Sequence, residues 1–324
     1  MNRAALVLLL ISMSLNLNAK EYHVAINGND SNPGTKRSPL LTIQAAADIA
    51  QPGDIITVHE GVYRERVNPP RGGTSENLRI VYRAARGEKV VIKGSEIIKG
   101  WKKVKDDVWE VALPNSFFGD FNPYSDTING HWFNPMGRKH HTGAVYLNGD
   151  WLPEAASNED IMKPLGEKPM WFGSVDDKNT LILAQFPGVD PNKEEVEINV
   201  RQTVFFPDQP GLNYITVKGF TMSQAATPWA PPTTKQLGLI GPHWSKGWII
   251  EDNIISHSMC VGISLGLAEF NKTVAGNAFG FTELVQYLVE KGYWSKDKVG
   301  HHIIRRNKVS HCEQAGIVGS LGAA

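Results

Sequence analysis

The pattern of apolar and polar positions repeats itself near the end of the chain. Residues 248–264 and 302–319 carry the same residue types in the same order, with apolar residues on both sides of a polar turn. The matched positions are Asn253 with Asn307, Ser256 with Ser310, His257 with His311, Gly262 with Gly316 and Ile263 with Ile317. An internal repeat of this kind is typical of architectures in which each repeat packs only against its neighbours.

Two more stretches extend this repeat to four coils. Each coil contributes one residue to each of two apolar columns and one to a turn column between them. The columns are Val217, Ile250, Val274 and Ile304; Met222, Ile255, Phe279 and Val309; and, at the turn, Phe220, Asn253, Asn277 and Asn307. Asn tolerates left-handed backbone geometry at a bend and can bond to its copy one rung away. The pattern therefore predicts a parallel β-helix, and an antiparallel sandwich throughout is the alternative.

The first part of the mature chain predicts a cap on this β-helix. Residues 39–50 form a short amphipathic pattern with Thr42 as a possible N-cap, and Gln51, Pro52 and Gly53 end it. Strand patterns flank it on both sides. A helix laid over the open end of a sheet shields unpaired backbone groups and apolar core from water. We therefore expect residues 20–100 to hold an N-terminal capping helix and the first coils.

The middle of the chain has a different character. Between residues 101 and 200, short strand patterns alternate with turns of uneven length that are rich in Pro and Asp, which predicts an antiparallel β-sandwich inserted into the coils. The coils resume over residues 201–324. A loop at 282–300 leaves them and contains a helical pattern at 283–290.

The N-terminus has the pattern of a secretory signal peptide over residues 1–19. Arg3 precedes an apolar stretch at 4–15, and Leu17, Asn18 and Ala19 form a plausible cleavage site. The apolar stretch is shorter than the roughly 20 residues of a spanning helix. The prediction is a secreted or periplasmic protein without membrane contact after cleavage, and an uncleaved membrane anchor is the alternative.

Charge and cysteine content narrow the picture further. Among 324 residues, 33 are Lys or Arg and 33 are Asp or Glu, and this balance argues against a nucleic-acid partner. Cys260 and Cys312 are the two cysteines. If the rung of Asn277 lies between them, they are about 10 Å apart, beyond the reach of a disulfide. The sequence thus predicts two free thiols.

Candidate chemistry is confined to polar and aromatic residues near the turns. The sequence contains no metal-ligand spacing, nucleophile elbow or phosphate loop, so no cofactor is expected. A bound Ca²⁺ ion is possible, but no cluster of acidic residues supports it. Sugar sites commonly combine aromatic rings with a few polar groups. The candidate substrate-binding residues are Trp229, His243, Trp244, His257, His311, Glu313 and Gln314. Turn residues that bond only within the protein are the alternative.

Glu283 and Glu313 are the local candidates for a catalytic pair. If Glu283 still belongs to its coil, the two carboxylates lie one rung apart, near the roughly 5–5.5 Å of a retaining glycosidase. Alternatively, Glu283 begins the inserted helix, where an acidic residue suits the N-terminal dipole. His257 and His311 share a column with Gln224 and Phe281, and ring stacking explains the two histidines as well as ligand binding does.

Several stretches carry a family resemblance. Residues 22–28 and 52–64 resemble the start of many pectate-lyase-like β-helix proteins. The more specific stretches are 68–73, 91–95, 113–119, 121–124 and 311–323. Together they resemble glycoside hydrolase family 120, the β-xylosidase family built on a right-handed β-helix.

This resemblance implies a right-handed β-helix with an early inserted sandwich and a retaining mechanism with an Asp nucleophile and a Glu acid/base. In the family those carboxylates lie on later coils than the His311–Gln314 stretch, so neither is assigned to a residue here. We expect the chain to be the N-terminal half of an exported glycosidase acting on xylo-oligosaccharides, inactive alone and prone to self-association through its uncapped end. A polysaccharide lyase and a non-catalytic carbohydrate-binding β-helix are the alternatives.

Overall fold

The computed structural model describes residues 19–130, 132–231, 235–266 and 281–320. Its framework is a stack of parallel strands on three faces. The first face contains β1 (Glu21–Val24), β2 (Ile55–Val58), β4 (Ile80–Ala84), β14 (Ile215–Lys218), β16 (Ile249–Glu251) and β19 (Ile303–Arg305). The second contains β3 (Gly61–Tyr63), β5 (Val90–Lys93), β15 (Thr221–Ala225), β17 (Ile254–Ser258) and β20 (Lys308–Cys312).

The third face has fewer paired strands than the other two and closes the three-sided stack. It contains β18 (Val261–Ser264) paired with β21 (Ala315–Val318), and single bridges extend it through Val67, Phe205, Ile240 and Ile263. All pairings on the three faces are parallel, as the crossover connections of a β-helix require. The predicted fold class is confirmed: an all-β, right-handed parallel β-helix with a capping helix and an inserted β-sandwich.

The apolar columns form the core between these faces. Ile250 pairs with Val217 on one side and with Ile304 on the other, and Ile255 lies likewise between Met222 and Val309. Val217, Met222, Ile250 and Ile255 are fully buried, and Ile304 and Val309 pack against them. Each rung therefore buries its apolar side chains against the next rung.

The predicted coil at 274–279 lies outside the described part of the chain, but it is not a rung between those of Asn253 and Asn307. Strand β16 pairs directly with β19, and β17 pairs directly with β20, so the rungs of Asn253 and Asn307 are adjacent. The described residues between these rungs include α3 (Phe281–Glu290), which belongs to none of the three faces.

The polar turn column is present at Phe220, Asn253 and Asn307, whereas its predicted member Asn277 lies outside the described residues. Asn253 donates through Nδ2 to Val217 O at 3.1 Å and to Asn307 Oδ1 at 3.1 Å, and its Oδ1 accepts the Phe220 N–H at 3.0 Å. The left-handed residue at each bend is the one before the Asn, with φ of 58° at Asp252 and 55° at Arg306. The Asn side chain thus bonds the backbone of adjacent rungs, while its neighbour makes the turn.

Gly262, the first of the matched glycines, has a packing reason. A Cβ placed on Gly262 would lie 2.7 Å from the carbonyl oxygen of Gly316 and 3.0 Å from Cys312 Sγ. Because rungs of a β-helix are separated by only about 4.8 Å, a side chain at this position would push the next rung away. A Cβ on Gly316 would meet only the Val309 side chain, at 3.4 Å, so the close approach of two backbones explains Gly262 alone.

The capping helix α1 (Ile43–Ile49) begins as predicted at Thr42, whose side chain accepts the Ala45 N–H at 3.1 Å. The Glu65 carboxylate accepts the N–H groups of Ile43 and Gln44, both at 2.9 Å, at the positive end of the helix. Ile43, Ala46 and Ala47 are buried in the core of the β-helix. The helix therefore closes the apolar core at this end of the stack.

The insertion contains two antiparallel four-stranded sheets. One contains β6 (Ser95–Ile97), β9 (Val145–Leu147), β10 (Asp150–Leu152) and β13 (Val196–Asn199). The other contains β7 (Lys102–Lys105), β8 (Val108–Pro114), β11 (Trp171–Val175) and β12 (Asn179–Gln185). A core that includes Tyr124, Trp171 and Phe186 lies between them, and α2 (Asn158–Ile161) flanks the second sheet. The domain limits at residues 20, 101 and 201 stay predictions.

No helix in the described part of the chain is long and apolar enough to cross a membrane. The signal peptide predicted at 1–19 lies outside the described residues, apart from Ala19.

Candidate functional site

A cavity of about 660 Å³ opens where the insertion meets the last described rungs of the β-helix. The β-helix contributes Trp229, Met259, Cys260, His311, Glu313 and Gln314 to its lining. The insertion contributes Ile128, Phe133, Arg138, His140, His141, Trp151, Leu152, Pro153, Glu154, Lys168 and Trp171. This volume lies within the range of small-ligand sites, and the wall combines aromatic rings with a few polar groups.

His311 is presented to the cavity by an unusual backbone conformation that repeats from rung to rung. Gln224, His257 and His311 have φ of 65°, 55° and 52°, so one left-handed residue interrupts each of the three strands β15, β17 and β20. The rings of His257 and His311 stack in parallel, with centroids 4.7 Å apart and an interplanar angle of 3°. The predicted column is confirmed for these three residues, whereas Phe281 lies in α3.

His257 supports this arrangement from beneath. Its ring packs against Trp151 and Tyr146, with centroids 6.0 Å from each, and its Nδ1 lies 3.0 Å from Ser256 Oγ. Burial lowers the pKa of His257, and the nearby His311 lowers it further. The neutral His257 ring therefore stacks against the His311 ring and holds it in place.

The sequence predicts that Gln314 binds sugar hydroxyls, but its side-chain amide bonds to the backbone of this protein instead. Its Oε1 accepts the Ala230 N–H at 2.9 Å and its Nε2 donates to Ala230 O at 3.1 Å. The amide thus bonds to backbone beside Trp229, whose ring lies 5.3 Å from that of Phe133 in the insertion. Gln314 therefore positions the segment that places the Trp229 ring in the cavity wall.

Glu313 is the cavity carboxylate on the β-helix side. Within the described residues its side chain has no ion pair or hydrogen bond, and it is exposed. Its oxygens are therefore available to accept hydrogen bonds from a ligand.

The insertion supplies a second carboxylate that the sequence did not indicate. Glu154 Oε1 accepts from His141 Nδ1 at 2.5 Å, and Glu154 Oε2 lies 3.6 Å from an Arg138 guanidinium nitrogen. Arg138 also donates to the backbone oxygen of Glu154 at 2.9 Å. The Glu154 side chain is only 11% exposed, so this pairing with two basic groups offsets much of its desolvation.

One nitrogen atom in this group remains for a ligand. His141 uses Nδ1 on Glu154, which leaves Nε2 at the other side of the ring. Arg138 Nε has no hydrogen-bond partner among the described residues, but it is buried and therefore out of reach of a ligand in the cavity.

Three of the candidate residues lie elsewhere. His243 packs on Phe206 and lines another cavity, and Trp244 packs in an apolar cluster with Leu284 and Leu288 of α3. Glu283 belongs to the first turn of α3. The hypothesis that Glu283 and Glu313 lie one rung apart is wrong, because Glu283 is in α3 and the described rung next to that of Glu313 is the one that contains Cys260.

The cysteines also show the effect of the misplaced rung. Cys260 and Cys312 are both free, as expected, but they are on adjacent rungs. Cys312 pairs in register with Ser258, two residues away from Cys260. Strand register therefore separates the two thiols, and no rung lies between those of Asn253 and Asn307.

Across the described ranges, no group of three or more His, Cys, Asp or Glu side chains is arranged to hold a metal ion.

Comparison with known proteins identifies the insertion. A model described as "Glycoside hydrolase 120, insertion domain" matches residues 98–170, and one described as "Protein of unknown function (DUF1565)" matches residues 26–69. A solved structure titled "The complex structure of XylC with xylose" is 47% identical to this chain, with a TM-score of 0.89. The similarity covers 94% of this chain and 52% of XylC.

Two curated relatives match over shorter stretches. Uncharacterized protein YwoF of Bacillus subtilis (strain 168) is 35% identical over 75 residues, which are 23% of this chain and 16% of YwoF. Pectate lyase PEL9 of Emericella nidulans is 27% identical over 150 residues, which are 41% of this chain and 36% of PEL9. The chain therefore spans about half of XylC and smaller parts of the curated relatives.

Proposed function

From the confirmed resemblance to glycoside hydrolase family 120, we propose that this chain forms one wall of a β-xylosidase-like active site. The observation that carries the proposal is the cavity between the insertion and the rung of His311 to Gln314. Its aromatic wall and its unpaired carboxylate suit a sugar ring, which offers C–H faces for stacking and hydroxyls for hydrogen bonds. The complex of XylC with xylose supports xylose as the sugar.

The residues of the cavity divide into ligand-binding and positioning groups. Glu313 accepts a hydrogen bond from a sugar hydroxyl, and His141 Nε2 provides a polar contact from the insertion side. Glu154 holds His141 and Arg138 in place, and Gln314 holds the segment of Trp229. Hydrolysis with retention also needs a nucleophile and an acid/base about 5–5.5 Å apart. We assign that pair to coils that stack on β19–β21, because XylC extends well beyond the matched region.

The proposal is tested with an aryl β-xyloside whose hydrolysis releases a coloured phenol. Residues 20–324 alone are expected to show almost no turnover, whereas a chain extended to the length of XylC is expected to be active. In the extended chain, Glu313→Gln should mainly raise KM, because it weakens a contact to the bound sugar. Full activity from residues 20–324 would overturn the assignment of the reacting pair.

Export is part of the same proposal. The pattern of residues 1–19 supports cleavage after Ala19 and release to the periplasm or medium, where oligosaccharides are the partners. N-terminal sequencing of the protein recovered outside the cytoplasm should begin at Lys20. Recovery of the intact N-terminus from the membrane fraction would favour an uncleaved anchor.

A polysaccharide lyase is the second candidate, and the match to pectate lyase PEL9 favours it. Lyases leave an unsaturated sugar that absorbs in the ultraviolet, whereas a glycosidase does not. An increase in ultraviolet absorbance with pectic or xylan substrates, lost on adding a Ca²⁺ chelator, would replace the glycosidase proposal. Retention on insoluble xylan without any turnover, also by the extended chain, would instead indicate a non-catalytic binding protein.

A further inference from the structure

A second cavity, of about 280 Å³, lies on another side of the β-helix. One wall comes from the aromatic segment of the insertion at Phe118, Asp120 and Phe121, and the other comes from the third face of the β-helix. The β-helix wall contains Arg66, Val200, Arg201, Gln202, Thr203, Phe206, Pro207, Asp208, Lys235, Leu237 and His243. None of these residues lines the first cavity.

His243 is the most informative residue of this cavity. It is only 5% exposed and has a left-handed backbone, with φ of 47°. Its Nδ1 lies 2.7 Å from Pro207 O, and a carbonyl oxygen only accepts, so Nδ1 carries the proton. Burial lowers the pKa of His243 to about 4. At neutral pH its Nε2 is thus an acceptor, and no described residue bonds to it.

The other polar groups make the cavity nearly neutral. Arg66 is paired with Asp208 at 2.5 Å, and Arg201 is paired with Glu96 at 2.5 Å. The remaining charges are the opposite ones of Lys235 and Asp120, while the Gln202 amide has no hydrogen-bond partner among the described residues. Balanced charge disfavours a phosphate or sulfate ligand, whereas an amide, a carboxylate and an imidazole acceptor suit hydroxyl groups.

The apolar surface completes the site. Phe121 and Phe118 lie on the insertion side, and Phe206, whose ring centroid is 5.0 Å from that of His243, lies on the β-helix side. The volume of about 280 Å³ is just below the roughly 300–1,000 Å³ of small-molecule sites, so it suits a single ring rather than a chain.

We propose that this cavity is a second saccharide-binding site that takes one neutral pyranose ring, with a ring hydroxyl donating to His243 Nε2. Phe121 covers one face of the sugar, and Gln202 and Asp120 bind hydroxyls at its edge. The inference takes from the proposed function only that the protein meets saccharides. It does not depend on hydrolysis.

The test reads the imidazole of His243 directly. Uniformly ¹⁵N-labelled protein is titrated separately with D-xylose, D-glucose and D-galactose, and long-range ¹H–¹⁵N spectra follow Nε2. At least one sugar is expected to move this resonance saturably towards its protonated position. Phe121→Ala and Gln202→Ala should each weaken that titration about tenfold, which equals about 1.4 kcal/mol.

Two controls separate this site from the first cavity. Trp151→Ala, in the first cavity, should leave the His243 titration unchanged. His243→Asn preserves a donor for Pro207 O and removes the Nε2 acceptor. In saturation-transfer difference spectra, the part of the sugar signal that Phe121→Ala removes should therefore also be absent from His243→Asn. The proposal is overturned if no neutral pyranose moves Nε2, if Phe121→Ala and Gln202→Ala change nothing, or if Trp151→Ala abolishes the titration. Aryl xyloside hydrolysis tests the first cavity separately.

Discussion

The carboxylate of Glu197 joins the insertion to the β-helix, and its removal gives the sharpest test of how the two are attached. Glu197 lies on β13 and its side chain is completely buried. Its oxygens accept from Arg64 at 2.6 Å, from Lys93 Nζ at 2.7 and 2.8 Å, and from Gln224 Nε2 at 2.9 Å. Two cations of the β-helix therefore share one anion of the insertion.

The structure sets the size of the expected effect. Glu197→Ala leaves Arg64 and Lys93, whose side chains are 18% and 15% exposed, without their buried counter-charge. Removing one partner of a buried ion pair typically costs about 3–5 kcal/mol. Glu195 is the matched control, because it approaches the same cations at 3.9 and 3.3 Å but is 51% exposed. Glu195→Ala should cost about 0–1 kcal/mol.

The assay is urea unfolding at pH 7, followed by both circular dichroism and tryptophan fluorescence. Two probes are needed because the insertion and the β-helix can unfold separately. Glu197→Ala should lower the free energy of unfolding by several kcal/mol more than Glu195→Ala. Equal losses for the two variants would refute the reasoning, since they would show that burial of the carboxylate adds nothing.

The same carboxylate predicts an acid dependence. Burial alone would raise the pKa of Glu197, but hydrogen bonds from Lys93 and Gln224 outweigh it and leave the pKa lowered. Stability from a lowered carboxylate pKa is present above the unfolded value of 4.5 and is lost as the pH falls through the folded value. The wild-type chain should therefore lose more stability below pH 4.5 than Glu197→Gln does.

Four other predictions follow from the fold. Asn253→Ala should cost about 2–4 kcal/mol in urea unfolding, because buried backbone groups of Phe220 and Val217 lose their partner. Stability should also fall as the pH drops from about 6.5 towards 4. Burial lowers the pKa of both His243 and His302 to about 4, so protonation of these imidazoles opposes folding. A urea midpoint that stays constant over this pH range would contradict this prediction. A thiol reagent should count two thiols after denaturation without reductant, and none would indicate a disulfide. Residues 20–324 should self-associate through β19–β21, because no strand of the described residues pairs with their outer edge, and a clean monomer in size-exclusion chromatography would count against that.

The repeat of Asn253 and Asn307 was readable because each rung buries its own apolar residues against an identical neighbour. The same reasoning failed at Asn277, because spacing alone does not distinguish a rung from an excursion that contains a helix. His243 and Trp244 adjoin a turn in sequence, yet the backbone directs them to another cavity and to α3.

By itself, the sequence determined the parallel β-helix, its capping helix, the presence of an inserted sandwich and the polar column that ends in His311. These features depend on local periodicity, which is set by the burial of each rung. Only the tertiary structure decided that Arg138, His141 and Glu154 of the insertion face Glu313 across one cavity. The physical reason is that docking of the insertion depends on the fit of two non-repeating surfaces, and no periodic pattern in either segment encodes that fit.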